Sequence, residues 1–270
     1  MATTTRTHDA PAAMIDRVAS LLDAFDGPRS LTLAEIAQRT GLPRSSTHRI
    51  LRRLVELGWV EREGFEYGLG LRMFELGAQV APQRRLRETA APVLTALHLR
   101  TSLTAHLSIL AGPDVLHLER LGPPPGPGAG WSVGARQAAA LTAPGRALLA
   151  GLDPQRWPEL SFQQAPTCYS VRSSRQLARE LGTVHDRGGV AVDSQGCVLG
   201  VTVVAAAIGG LCESAPAAVS LSGSTRSVSI ENATAAVRSA AVDIRRRLLG
   251  LRPNARTGTT SGAGVLNSWS

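Results

Sequence analysis

The stretch that decides the fold is Thr32-Leu33-Ala34-Glu35-Ile36-Ala37-Gln38-Arg39-Thr40-Gly41-Leu42-Pro43-Arg44-Ser45-Ser46-Thr47-His48-Arg49-Ile50-Leu51. Thr32 followed three residues later by Glu35 is the signature of a capping box, in which each side chain satisfies the other's backbone N–H at a helix start. Leu33, Ile36 and Ala37 then give that helix one apolar face. Gly41 supplies the left-handed residue that ends it. Pro43 sits near the first turn of a further helix, where its missing N–H costs nothing. This helix runs to about Leu57 with Thr47, Ile50, Leu51 and Leu54 inward. Upstream, Ile15, Val18, Ala19, Leu22 and Phe25 predict one face of a helix from Met14, stopped by Gly27 and Pro28. Downstream of Gly58 the period changes to two. Trp59 and Val60 begin a strand, Glu63-Gly64 is a turn, and Phe65, Tyr67 and Leu69 alternate as the return strand. Helix, helix, tight turn, helix and hairpin make a winged helix-turn-helix.

That arrangement sets the chemistry of its exposed face. The major groove of DNA admits one α-helix, and residues of its first turns read the base edges. With Thr47, Ile50 and Leu51 inward, Arg44, Ser45, Ser46, His48 and Arg49 point away, and all can donate hydrogen bonds. Arg52 and Arg53 lie a turn further on, placed for phosphate, and Arg62 near the wing tip is placed for the backbone or minor groove. The cluster Arg44, Arg49, Arg52 and Arg53 contains no acid. A helical hairpin with a charged surface is the bland alternative, but spacing, cap, glycine turn and wing together favour double-stranded DNA as partner.

The rest of the 270 residues reads as a second, larger α+β domain. Leu71 to Val80 is helical and Pro82 interrupts it. A second amphipathic stretch follows with Leu86, Ala90, Val93, Leu94 and Leu97, and Pro92 within it predicts a kink or a fresh helix start. Leu103 to Ile109 and Val115 to Leu121 are strands about the turn Gly112-Pro113-Asp114, and 122–130 is loop. Helices are expected over about Pro144 to Leu152, Leu177 to Arg187 and Asn232 to Leu249. Strands are expected at Val190 to Val192, Val201 to Ala206 and Ala217 to Leu221, giving a largely antiparallel sheet. The organisation is therefore 1–11 disordered, 12–70 DNA-binding, 71–98 linker and dimerisation helices, 99–250 the second domain, and 251–270 a disordered tail.

Composition agrees. Apolar residues are 43% of the chain and the formal net charge is +8, which weakly favours a polyanionic partner. All 29 basic residues are Arg. Cys168, Cys197 and Cys212 have no C-x-x-C spacing, so neither a disulfide framework nor a zinc ribbon is supported. His98, His106, His117 and His185 lack metal-ligand spacing, and there is no phosphate loop or G-x-S-x-G elbow. No catalytic residue, metal or cofactor is expected. Met1 to Ala13 has no apolar run, and the longest apolar stretch, Val198 to Ile208, is too short to span a bilayer. The expectation is a cytoplasmic protein with no membrane partner.

From about Met14 to Gly250 the chain resembles the IclR family of bacterial transcriptional regulators. The resemblance rests on Leu33 to Ala37, Thr40 to Leu51, Leu54 to Arg62, Tyr67 to Gly70 and Leu76-Gly77. In the second domain it rests on Thr142-Ala143-Pro144-Gly145-Arg146-Ala147-Leu148-Leu149, on Gly188 to Asp193 and on Ala217 to Gly223. It implies a GAF-like effector-binding domain and a homodimer or homotetramer on operator DNA. It further implies a pocket for a small-molecule effector, an organic acid, lined by Thr142, Ala143, Asp193, Val203, Ser220 and Ser222. The chain departs from the family pattern at Ala140, where a His is usual. Gln195 and Gly196 stand for carboxylates, Val203 for a Cys, and Ala207 for a Pro. By the residues alone, Ser220 and Ser222 share one face of a strand, and that face serves a polar ligand or the outer surface equally well. Asp193 alone reads as a turn residue. A second domain used only for oligomerisation or partner contact is the alternative that these departures leave open.

Overall fold

A computed structural model describes residues 14–124, 126, 131–162, 165–209 and 216–250. The two termini assigned to disorder, part of the 122–130 loop and Cys212 lie outside these residues.

The first unit comprises α1 (Met14–Asp23), β1 (Leu31–Thr32), α2 (Leu33–Thr40), α3 (Arg44–Glu56), β2 (Val60–Glu63) and β3 (Glu66–Leu69). The capping box forms as the spacing predicts. Thr32 Oγ1 accepts from the Glu35 N–H at 3.3 Å, and Glu35 Oε2 accepts from the Thr32 N–H at 2.8 Å. Gly41 ends α2 at φ 67°, in the left-handed region a side chain would resist. Leu21, Phe25, Ile36, Leu51, Leu54, Val60 and Tyr67 form the core.

The structure differs in three places here. The buried face of α1 is carried by Leu21 rather than by Ile15 and Ala19, and Ile15 is 80% exposed. The sequence is apolar around both arcs, and only the last turns of α1 reach the core. The wing turn is Gly64-Phe65, since Glu63 pairs with Glu66, and this leaves Phe65 85% exposed instead of in a strand. The third sheet strand, β1, pairs Leu31 with Tyr67 and is two residues long, too short to show a period.

The connection consists of α4 (Leu71–Gly77) and α5 (Ala81–Thr101). The fresh start is at Ala81, with a proline in the first turn, and α5 continues through Pro92. An interior proline costs about 3 kcal/mol because it strands a carbonyl and crowds the preceding turn. Pro92 lies on the exposed side, where water can satisfy that carbonyl. Leu86, Ala90, Val93, Leu94 and Leu97 are buried in the core of the second unit.

That unit contains β4 (Thr104–Ala111), β5 (Asp114–Leu121), β6 (Arg136–Ala138), α6 (Ala143–Ala150), α7 (Ser174–Asp186), β7 (Val190–Ser194), β8 (Val201–Ile208), β9 (Ala217–Ser224) and α8 (Ile230–Leu248). The strands form one sheet of order β6-β5-β4-β9-β8-β7, antiparallel throughout. Alternation divides each strand between its two faces. Ala105, Leu107, Ile109, Val219 and Leu221 join the core beneath α5 and α8. His106, Ser108, Ser220 and Ser222 therefore face the opposite side, and all four are buried. The serine pair is thus not an outer-surface pair.

Candidate functional site

Two separate surfaces carry chemistry. The first is the outward side of α3. Thr47 is fully buried and its hydroxyl donates to the Pro43 carbonyl at 3.1 Å. This rotates Arg44, Ser45, His48 and Arg49 into solvent and leaves Ser46 half-buried. The expected acid-free cluster needs correction. Glu56, one turn on, lies 3.9 Å from Arg52 and 2.9 Å from Arg53. Such exposed pairs contribute little stability, but they direct positive charge back along the helix. Arg44 and Arg49 form no ion pair among the described residues. Arg62 donates from Nε to the Gly64 carbonyl at 2.9 Å and lies 5.6 Å over the Tyr67 ring. It is folded onto the wing.

The second surface is a small cavity where the start of α6 meets the sheet. Thr142 caps α6, accepting from the Gly145 N–H at 3.1 Å. A Cβ on Gly145 would lie 2.1 Å from the Ala139 carbonyl oxygen, so only glycine lets the helix come so close. Thr142, Ala143, Val203 and Ser220, all expected from sequence, line the cavity together with His106, His117, Trp131, Gln137, Pro144 and Cys197. Its free volume is about 10 Å³.

Asp193 and Ser222 stand behind this lining. Asp193 Oδ1 accepts from Arg146 Nη2 at 2.9 Å, and its Oδ2 accepts from the Cys197 N–H at 3.0 Å. Arg146 is buried and donates further to the carbonyls of Val192 at 3.1 Å and Leu141 at 3.4 Å. This pair ties α6 to β7. It also explains Gly196, where a Cβ would fall 2.2 Å from Asp193 Oδ1. Ser222 Oγ lies 3.0 Å from His106 Nε2.

Sequence reasoning missed His106, His117, Trp131, Gln137 and Arg146. Sequence spacing tests the histidines only as metal ligands, although His106 and Ser108 alternate with the apolar residues of β4 and so share a buried face. Ser108 lies 2.9 Å from His117 Nδ1, and His117 Nε2 lies 3.0 Å from Gln137 Oε1. An amide oxygen only accepts, so Nε2 of His117 carries the proton and Nδ1 accepts from Ser108. Burial lowers the His117 pKa, partly offset by the Gln137 bond. Burial, aided by His117 and Arg120, lowers that of His106 to about 3. Both rings are neutral at physiological pH. Burial, and secondarily the Asp193 carboxylate, push the Cys197 thiol up, and the thiol donates to the Leu141 carbonyl at 3.3 Å. A protonated thiol is no nucleophile. Among the described residues no group of three or more His, Cys, Asp or Glu could hold a metal.

Residues 14–64 match the family described as the IclR helix-turn-helix domain, and 78–246 match that of the bacterial transcriptional regulator IclR C-terminal. The chain is 30% identical to the HTH-type transcriptional regulator BhcR of Paracoccus denitrificans over 250 residues, covering 90% of this chain and 89% of that one. It is 33% identical to the HTH-type transcriptional regulator KipR of Bacillus subtilis over 103 residues, which span 38% of this chain and 41% of that one. Among solved structures, an IclR homolog from Microbacterium hydrocarbonoxydans complexed with 4-hydroxybenzoate has a TM-score of 0.75 at 26% identity. The match covers 88% of this chain and 100% of that one. These families and relatives are transcriptional regulators, not enzymes.

The two buried rings make stability depend on pH. Above about pH 6.5 both folded and unfolded chains keep them neutral. Below it the unfolded chain takes up protons that the buried rings refuse, so stability falls with pH by up to about 1.4 kcal/mol per pH unit for each ring. The denaturant midpoint of the second unit should drop between pH 6.5 and 4.5, and His106→Gln should flatten that dependence. An unchanged slope in the variant would show that His106 is not the group responsible.

Proposed function

The chain belongs to the IclR family of bacterial transcriptional regulators, and on that premise we propose that it binds a two-fold symmetric operator as a homodimer. It carries a helix-turn-helix DNA-binding domain and an effector-binding C-terminal domain. The observation that carries the reading is the outward face of α3. Arg44, Ser45, Ser46, His48 and Arg49 enter the major groove, with Arg44 and Arg49, which pair with no carboxylate among the described residues, on base edges. Arg52 and Arg53 exchange Glu56 for phosphates, and Arg62 reaches the backbone beside the wing. No helix among the described residues is long and apolar enough to cross a membrane, in keeping with work on cytoplasmic DNA.

Dimerisation falls to α4. Leu71 and Phe74 are each 70% exposed in the single chain, an apolar surface that calls for a cover. The apolar face of α5 is already used within its own subunit. The effector is a small organic acid with an apolar body, received by Thr142, Ala143, Val203 and Ser220, while Asp193 and Ser222 brace the lining from behind. The hydroxybenzoate bound by the Microbacterium relative is a ligand of this class. A C-terminal domain that serves assembly alone is the second reading, favoured by the cavity's small free volume. A ligand that binds only the native state raises the melting temperature, so a thermal-shift screen of organic acids separates the two readings.

Replacing Arg44 or Arg49 by Ala should cost about 1–3 kcal/mol on the cognate operator and little on random DNA, whereas Arg52→Ala should weaken both alike. Equal losses at all three positions would mean that α3 is only positioned on the backbone. Phe74→Glu should give a monomer in sedimentation at micromolar concentration and lose operator binding, because one helix reads too few base pairs. A Phe74→Glu dimer with undiminished binding would place the interface elsewhere.

A further inference from the structure

Two buried polar atoms of residues that line the cavity have no hydrogen-bond partner among the described residues: His106 Nδ1 and Trp131 Nε1. The residues are 1% and 3% exposed, both line the same cavity, and their rings meet edge to face with centroids 5.8 Å apart. A buried polar group without a partner is costly and asks for an explanation. Resting on the effector reading above, we infer that this corner binds a neutral hydroxyl group, and that the effector is therefore a hydroxy acid.

The donor and acceptor roles follow from the network behind the cavity. The Ser222 hydroxyl donates to the Thr104 carbonyl at 3.5 Å, so its oxygen accepts from Nε2–H of His106 at 3.0 Å. That leaves Nδ1 with its lone pair, as an acceptor. The indole Nε1–H of Trp131 can only donate. One donor and one acceptor on adjoining rings of one cavity complement an O–H, whose oxygen accepts from the indole and whose proton goes to the imidazole. A carboxylate has no proton for Nδ1, and among the described residues no cationic side chain lines the cavity. Arg146 is committed to Asp193, and Arg120, opposite His106 across β4 and β5, lies outside the lining. A carboxylate pushed into this corner would be a buried, unpaired charge. The free volume of about 10 Å³ matches a single oxygen-sized group.

A site built to hydrogen-bond a hydroxyl rejects the analogue that lacks it, because its own polar atoms are then stranded. Calorimetric titration of the full chain with matched pairs tests this. The pairs are 4-hydroxybenzoate against benzoate, 4-hydroxyphenylacetate against phenylacetate, and 4-hydroxycyclohexanecarboxylate against cyclohexanecarboxylate. The hydroxylated member of at least one pair should bind at least tenfold more tightly. Trp131→Phe, which keeps a ring and removes the donor, should reduce that preference to under threefold with little change for the deoxy member. Should Trp131→Phe fail to fold, His106→Gln offers the second test, with the same loss of preference expected. Equal binding within every pair, or a preference that survives these substitutions, overturns the hydroxyl inference and leaves the effector pocket standing. No binding by any of the six acids counts against the pocket reading, and this inference falls with it.

Discussion

The C-terminal domain depends on the buried ion pair between Arg146 and Asp193. Two charges removed from water cost several kcal/mol each and are tolerated only when their remaining hydrogen-bonding capacity is filled. Here most of it is: Arg146 also reaches the carbonyls of Leu141 and Val192, and Asp193 also takes the Cys197 N–H, while Arg146 Nε has no hydrogen-bond partner among the described residues and lies 4.0 Å from a Glu180 carboxylate oxygen. The pair therefore has one geometry, and that geometry presses the start of α6 onto the polar face of the sheet. Gly145, packed on the Ala139 backbone just before α6, and Gly196, packed on the Asp193 carboxylate, leave no room for a side chain around the pair. The wall of the cavity that α6 supplies, with its capped helix start, follows from that contact.

The DNA-binding half rests on a different balance. Its small core fixes α3 through Thr47, Ile50, Leu51 and Leu54, and everything on the opposite side is available to a partner. Charge is graded along that side. Arg44 and Arg49 near the helix start form no ion pair among the described residues, while Arg52 and Arg53 share Glu56. A graded helix suits base reading at its start and adjustable backbone contact at its end. The wing contributes less, since Arg62 is held by Gly64 and Tyr67 and acidic Glu63 and Glu66 flank its turn.

Local signals explain what the sequence revealed. The capping box, the glycine turn and the 3.6-residue period of α3 are written within a few residues of one another, so the winged helix-turn-helix could be read in order. The long strands of the second domain declare themselves by alternation. β1 and β6, of two and three residues, are too short for any period. The buried side of α1 was misjudged because both of its arcs are apolar, and Pro92 was tolerated for its exposure, which only the packing of α5 reveals. In the cavity, resemblance brought out Thr142, Ala143, Val203 and Ser220. His106, His117, Trp131 and Gln137 come from four separate stretches that the sheet order β6-β5-β4 and the loop before β6 bring together. No local pattern announces that meeting. Arg146 lies within a local motif, but its role depends on Asp193, 47 residues away.

A double-mutant cycle on the buried pair measures most directly whether it organises the domain. Arg146→Met and Asp193→Leu should each cost about 3–5 kcal/mol in chemical denaturation, because each strands a buried charge. Together they should cost no more than the worse single substitution, since no charge then remains. Costs that simply add would show that the two side chains act independently, contradicting the account of how α6 and the cavity are held.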